Sequence, residues 1–538
     1  FFEEVYVQHF QTPSDNTRNS TTNYSEILQV INNLEINFDA VFQKLVSLKN
    51  NFNPGPDGIP AYFLKMCSPS LTLPITILFK QSLRSGLCPV RWKSSFIVPI
   101  HKSGSKTDVK NYRPVCIISS LCKVLESIIA DKLLDTYYNI LSTKQHGFMP
   151  KRSTLTNLSI YSNYISNSLE RGYQVDSIYT DFSKAFDRVD TNLLLIKLKH
   201  YGIVGNLLSW LSSYLNGRTQ TVRISGLFSH EIKATSGVPQ GSHLGPILFL
   251  LFVNDITHIF KYCQFLLFAD DLKLYMEVRS ELDVLKIQSD LDSFSNWCDM
   301  NNLLINYDKC KIITFHKCKN PISARYCLCD NEILRVETVK DLGVVFDKSY
   351  TFEYHIERIL NKAMRMCGFV KRQCKDFKNI PVVIKLYCAF VRSSLEYCSL
   401  VWDPYYSCSN IRLERVQRKF VNFLLFKLNI NKNLYTYEER LELVGLKSLE
   451  SRRKNAIVVF GYKIFNNSIH SPEILSSFRI RVPNHLIRDP ILFEIDSHRT
   501  NYGIHSPFTR VARALNSLPS TIDIFNISLN RFKRELLY

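Results

Sequence analysis

The period of the apolar positions changes along the chain. Residues 1 to about 35 are polar and rich in Asn, Ser and Thr ("TPSDNTRNSTTNYSE"), which predicts a leader or linker without a core of its own. Ordered structure is expected to begin near Phe38. The turn formers of "NPGPDGIP" (53–60) precede helical spacing in "AYFLKMC" and "LPITILFKQSL". Residues 94–129 read as a short strand, a basic loop rich in Ser, Gly and Lys, an Arg-Pro, and a helix. "QHGFMPKRST" (145–154) reads as a second basic loop.

From 175 to 345 the pattern turns to β-rich segments: "VDSIYTDF", "TVRISG", "QFLLFADDLKLYME", "CKIITFH" and "VKDLGVVFD". Amphipathic stretches separate them, as in 282–298, where Leu285, Ile287, Leu291, Phe294 and Trp297 fall near helical periodicity. That alternation predicts a sheet backed by helices. After 350 the spacing is helical. Ile356, Ile359, Leu360, Ala363 and Cys367 form an apolar stripe beside a basic one of Arg358, Lys362 and Arg365. A second stretch repeats the design, with Leu413, Val416, Phe420 and Phe423 apolar and Arg412, Arg415 and Lys419 basic.

Composition sharpens this picture. At 538 residues the chain is too long for one core, and 45% hydrophobic residues can fill several. The net charge is +19, of which residues 351–538 carry +14, from 30 Lys and Arg against 16 Asp and Glu. A basic C-terminal third suits a polyanion, although a merely solvated surface would look the same. The fifteen cysteines lack paired metal-ligand spacing, so buried free thiols are expected rather than zinc. The longest apolar run, "PILFLLFV" (246–253), falls short of a bilayer span. No secretory signal opens the chain, and a soluble intracellular protein without membrane partners is expected. The start at Phe1 rather than Met is expected of a processed chain or a piece of a longer one.

The chemistry concentrates in "FADDLKLY" (268–275), where Asp270 and Asp271 stand in an apolar run. Burying one unpaired carboxylate costs several kcal/mol, and a like-charged neighbour adds to that. The flanking runs predict two strands joined by a tight turn, with the acids at its tip. By itself such a pair reads as a polar turn, and Asp187 and Asp190 as helix acids. Divalent cations would let both stay ionised. Hard oxygen ligands with few other protein contacts suit Mg²⁺, which takes further ligands from water and phosphate. Asp181, at the end of "VDSIYTD", is a third acid on another β-rich segment. Two metals on such a trio suit nucleotidyl transfer.

"FADD", preceded by "YTDFSKAFD" and by "SGVPQGSHLGPILFLLFVNDI", resembles the motif series of reverse transcriptases, in wording nearest to jockey-type non-LTR retrotransposons. "GPDGIP", "IVPIHKSGSKTDVKNYRPV", "QHGFMPKRST", "NYDKCKIITF" and "VKDLGVVFD" match further blocks, so the resemblance covers roughly 50–425. It implies an α+β right-hand polymerase, with fingers, a palm built on a ferredoxin-like antiparallel sheet, a helical thumb and a helical C-terminal region. The expected division is a leader at 1–37, fingers and N-terminal extension at 38–170, palm at 171–348, thumb at 349–425 and a basic C-terminal region at 426–538.

Carried over residue by residue, the resemblance implies that Asp181, Asp270 and Asp271 are catalytic and bind two Mg²⁺ ions, with Mn²⁺ as the alternative. The main-chain carbonyl of Phe182 completes that site. Phe186 matches the steric gate against ribonucleotides. Gln240 matches a contact to the incoming nucleotide, and Gly241 would let the backbone approach it. Lys102 and Arg113 match the cations that grip the triphosphate. Lys309 matches a proton donor to pyrophosphate. "GVVFD" matches the hairpin that grips the primer, and the two basic helices would cradle an RNA–DNA hybrid through Arg358, Lys362, Arg365, Arg412, Arg415 and Lys419. The implied partners are an RNA template, a DNA primer or target and dNTPs, in a ribonucleoprotein of nucleus and cytoplasm. The motifs of an upstream endonuclease, a zinc knuckle and a restriction-like nuclease do not occur in these residues. The alternatives are an intron maturase-like or telomerase-like polymerase, and a decayed or co-opted relative that only binds RNA.

Overall fold

The computed structural model describes residues 34–102, 104–481, 491–519 and 522–536. Most of the expected leader, residues 1–33, lies outside them. The first helix, Phe38–Val46, starts at Asn37, whose side chain accepts a 2.7 Å bond from Ala40 N. The architecture is α+β, and the chain closes into two compact units, each assembled from several stretches.

One unit takes residues 34–142, 181–261 and 289–306. Its sheet centres on strand Ser94–His101, paired antiparallel with Tyr112–Ile117 and parallel with Arg218–Ile224. Helix Leu244–Val253 contains the longest apolar run, and every residue but Pro246 is buried. A helix apolar all round belongs in a core. No described helix is long and apolar enough to cross a membrane. Several buried polar groups of this unit are paired, as burial requires. Glu126, fully buried on helix Ser120–Tyr137, accepts from Tyr214 Oη at 2.7 Å and from His243 N at 2.9 Å. Lys197 Nζ reaches Asp255 and the Phe252 carbonyl, each at 2.7 Å.

The other unit takes residues 143–180, 262–288 and the described residues from 307 onward. Its five-stranded sheet runs in the order Leu334–Arg335, Lys311–Phe315, Gln174–Thr180, Asp271–Val278 and Gln264–Phe268. All neighbours are antiparallel except the outer pair of Leu334–Arg335 with Lys311–Phe315. Helix Thr154–Glu170 packs on this sheet through Leu158, Tyr161 and Ile165. Beneath the sheet's acidic hairpin, buried Lys273 pairs with Asp341 of hairpin 338–347 and lies 4.4 Å from the centre of the Tyr161 ring. Helices Glu353–Gln373 and Ser407–Lys427 share a core in which Ile359, Ala363, Leu413 and Phe420 are buried. The C-terminal part is also helical, with Leu449–Phe465 and Pro507–Asn516 packed around Gly461.

Three local readings need correction. Asp187 and Asp190, read as helix acids, do not share one helix: the chain forms Ala185–Arg188 and Thr191–His200, and Asp190 caps the second by accepting from Asn192 N and Leu193 N. Helix Glu281–Met300 buries Ile287, Leu291, Phe294 and Trp297, but Leu285 faces solvent. The "QHGF" part of the supposed basic loop is largely interior, with Gln145 and His146 buried.

His355 supplies a pH test. It is buried against Trp402, and its Nδ1 accepts from Val345 N at 3.2 Å, while burial lowers its pKa from 6.5 to about 4. The neutral ring's contribution is complete above pH 6.5 and is lost as pH falls toward 4, where the unfolded chain binds the proton more readily. Wild-type stability should drop by about 2 kcal/mol from this group between pH 7 and 5. Urea unfolding at both values should show that His355→Leu removes most of this slope.

Candidate functional site

The two strands Gln264–Phe268 and Asp271–Val278 form a hairpin whose last pair is Phe268 with Asp271. Only Ala269 and Asp270 make the turn. Ala269 has φ +57° and Asp270 does not share that sign, the pattern of a type II′ turn. Such turns favour glycine, and an alanine there costs about 1–2 kcal/mol. Asp270 is half-buried at the tip, while Asp271, exposed, opens the second strand. Lys273 follows on the same face, two residues along the strand. Burial pushes its ammonium pKa down, and the carboxylates of Asp341 and Asp271 oppose that shift.

Within the same sheet, Thr180 pairs with Leu272. Leu272 follows Asp271, and Thr180 precedes Asp181. Beyond the strand, the carbonyl of Asp181 accepts from Asn306 N at 2.8 Å, and Ser183 N donates to Leu304 O at 2.7 Å. These bonds form a bridge opposite Ile305 that does not use the Phe182 carbonyl. The Phe182 ring is buried near Phe294 and Trp297.

The first unit gathers the residues expected around a nucleotide. Segment 236–240 is stitched to residues 186–189: Ser236 Oγ donates to Asp187 O, Gly237 N to Val189 O and Val238 N to Phe186 O, at 2.8–2.9 Å. Gln240 Nε2 donates to Asp187 Oδ1 at 2.9 Å. Burial raises the Asp187 pKa, and the Gln240 bond opposes the rise. Phe186, half-buried, stacks on Phe249 with ring centres 4.3 Å apart. The Gln240 carbonyl accepts from Cys116 N, which joins this loop to strand Tyr112–Ile117. Arg113 lies on that strand, exposed and opposite Ile100. Lys102 N donates to Asn111 O at 2.8 Å, which extends the ladder and sets Lys102 diagonal to Arg113.

Gly241 has a reason that the sequence did not show. Its φ is +118°, and a Cβ there would lie 2.7 Å from the Cys116 carbonyl. The close approach is made by the chain's own strand. Lys309 belongs to the other unit, exposed in the turn Tyr307–Lys309. On the two basic helices Arg358, Lys362, Arg365, Arg415 and Lys419 are exposed, while Arg412 pairs with Glu353. Among the described residues no three or more His, Cys, Asp or Glu side chains form a group that could hold a metal ion unaided. That arrangement still suits Mg²⁺, which one or two carboxylates can hold when water and phosphate complete its shell.

Residues 100–346 match the family described as reverse transcriptase (RNA-dependent DNA polymerase), and this stretch contains the hairpin, Asp181 and the 236–241 loop. That stretch is similar to reverse transcriptases. It is 30% identical over 327 residues to the probable RNA-directed DNA polymerase from transposon X-element of Drosophila melanogaster, covering 59% of this chain and 36% of that protein. It is also 30% identical over 317 residues to the RNA-directed DNA polymerase from mobile element jockey of the same organism, covering 57% and 34%. A type-1 retrotransposable element R1 polyprotein of Bradysia coprophila matches 79% of the chain at 24% identity. The chain spans little more than a third of the length of the first two relatives.

Sequence reasoning missed Asp187 and Cys116 as partners of the Gln240 loop, and Gln145 and Gly147 beside the hairpin. The Gln-x-Gly spacing inside a loop read as basic was the available signal for the latter pair. Gly241→Ala should destabilise the first unit by roughly 2 kcal/mol or more, because both φ and space oppose a side chain. Gly58→Ala is the control, since its φ is +77° with nothing within 4 Å of a new Cβ. It should cost about 1 kcal/mol in the same urea melts.

Proposed function

We propose that this chain is the RNA-directed DNA polymerase of a non-LTR retrotransposon, extending a primer 3′-hydroxyl with dNTPs on an RNA template. The observation that carries this reading is the tight hairpin bearing Asp270 and Asp271, in register with the strand that leads into Asp181, inside a reverse transcriptase match. Its working division is a leader at 1–37, fingers and N-terminal extension at 38–170, palm at 171–348, thumb at 349–425 and a basic C-terminal region at 426–538. The protein would act as a ribonucleoprotein in nucleus and cytoplasm.

Asp181, Asp270 and Asp271, with the Phe182 carbonyl, would hold divalent ions, Mg²⁺ with Mn²⁺ as the alternative. Bound there, such ions lower the pKa of a hydroxyl nucleophile and offset charge on a leaving pyrophosphate. The protein's own part is positioning. Arg113 and Lys102, diagonal on one ladder, offer cations for a triphosphate, Arg113 in bidentate fashion. Phe186, held by its stack on Phe249, would occupy the space of a 2′-hydroxyl. Gln240 and Gly241 would border the incoming nucleotide, with Asp187 orienting the Gln240 amide. Lys309 would give a proton to the pyrophosphate. Exposed Arg358, Lys362, Arg365, Arg415 and Lys419, together with Arg412 once released from Glu353, would neutralise phosphates of the hybrid without reading its bases.

Primer extension on an RNA template tests this reading. The wild type should synthesise DNA, and Asp270→Ala should lower the rate at least about a hundredfold. An inactive wild type, or an Asp270→Ala variant of full activity, would refute it. Phe186→Ala should raise ribonucleotide incorporation relative to dNTPs, and unchanged sugar discrimination would remove the gate assignment.

A further inference from the structure

The acidic hairpin is held from outside its own two strands. Residues 144–146 run along the outer edge of strand Gln264–Phe268: Leu267 N donates to Lys144 O at 3.0 Å, and His146 N donates to Leu267 O at 2.9 Å. The Gln145 side chain, 3% exposed, then reaches the turn. Its Oε1 accepts from Ala269 N at 2.9 Å and from Gly147 N at 2.8 Å. Its Nε2 donates to Ala269 O at 3.2 Å. One amide therefore engages both main-chain groups of the residue with φ +57°.

The surroundings leave this amide little freedom. Arg152 Nη1 donates to the carbonyls of Gln145 and Thr143, at 2.8 and 3.1 Å. Asn157 Nδ2 donates to Leu267 O at 3.0 Å, and His146 Nδ1 meets Thr156 Oγ1 at 2.8 Å. Position 147 must be glycine for contact at this range, since a Cβ would stand 2.2 Å from Ala269 N.

We propose that Gln145 is a positioning residue for the catalytic acids: its amide holds Ala269 in the left-handed region and so fixes the direction in which Asp270 leaves the turn. The proposal rests on the polymerase reading for its catalytic consequence. Ala269 has no glycine-like freedom, and without the two bonds its φ would relax toward negative values. The 269–270 peptide would then rotate, and the Asp270 carboxylate would move with it. A displacement on the order of 1 Å of a group that orients reactants can cost a hundredfold in rate. Gln145 touches neither substrate nor metal in this account. Its removal should therefore lower kcat and leave dNTP binding nearly unchanged.

Gln145→Met keeps the volume and loses all three hydrogen bonds. Hydrogen exchange followed by mass spectrometry should show the Ala269 amide exchanging at least about tenfold faster, with Leu274 and Tyr275 amides unchanged. Primer extension should show kcat lowered roughly 30- to 100-fold and the dNTP KM within about twofold of wild type. Adding Ala269→Gly should recover much of the rate, because glycine adopts positive φ without help. Should Gln145→Met fail to fold, Gln145→Glu serves instead: it keeps the acceptor, loses the donor to Ala269 O, and should lower kcat to a smaller degree. Unchanged exchange with unchanged kcat overturns the proposal. So does faster exchange with wild-type kcat, or a rate loss that Ala269→Gly does not relieve. If the wild type itself makes no DNA, the polymerase reading falls, and the exchange measurement alone still decides whether Gln145 fixes the turn.

Discussion

Two adjacent carboxylates at a two-residue turn are the constraint on which the second unit is organised. Charge repulsion and desolvation both work against the arrangement, so the backbone beneath it has to be stiff. The strands on either side supply apolar, fully buried positions such as Leu266, Leu272 and Leu274. Helix Thr154–Glu170 covers Leu266 through Leu158 and Tyr161. Lys273 is a cation drawn into this interior, and it stays there because Asp341 pairs with it and Tyr161 offers its ring face. The same ion pair ties the acidic hairpin to hairpin 338–347.

The first unit solves a different problem, the shaping of a loop that has no regular structure. Segment 236–241 is held by bonds to residues 186–189 on one side and to strand Tyr112–Ile117 on the other. Gly237 and Gly241 sit where each of those neighbours comes too close for a Cβ: Asp187 O in the first case and Cys116 O in the second, each at 2.7 Å. The gate candidate Phe186 and the loop residue Gln240 are thereby parts of one hydrogen-bonded assembly. A change at Asp187 reaches both.

Much of this was legible in the order of residues. The hairpin at 264–278, the strands at 174–180 and 311–315, and the two basic helices after 350 all follow from apolar periodicity and turn chemistry, which act over a few neighbouring residues. The motif series around Asp181, Gln240, Asp270 and Asp271 carried the family, and the match over 100–346 agrees with it. Where local signals competed, reading was less faithful. Asp190 looked like an ordinary helix acid and is an N-cap, and Leu285 was read with the apolar stripe yet faces water, because it lies across the helix from Phe294.

The sequence by itself determined the local elements, the charge asymmetry and the chemistry available at the acids, because these depend on residue type and short spacing. Only the tertiary structure decided which distant groups satisfy one another. Gln145 read as part of a basic loop, and 124 residues separate it from Ala269, whose main chain it holds. Gly241 read as a glycine awaiting a ligand, and its nearest obstacle is a carbonyl of the chain's own strand. Buried hydrogen bonds of this kind are fixed by folded distance, which no periodicity encodes, and a hairpin that must hold two like charges rests on them.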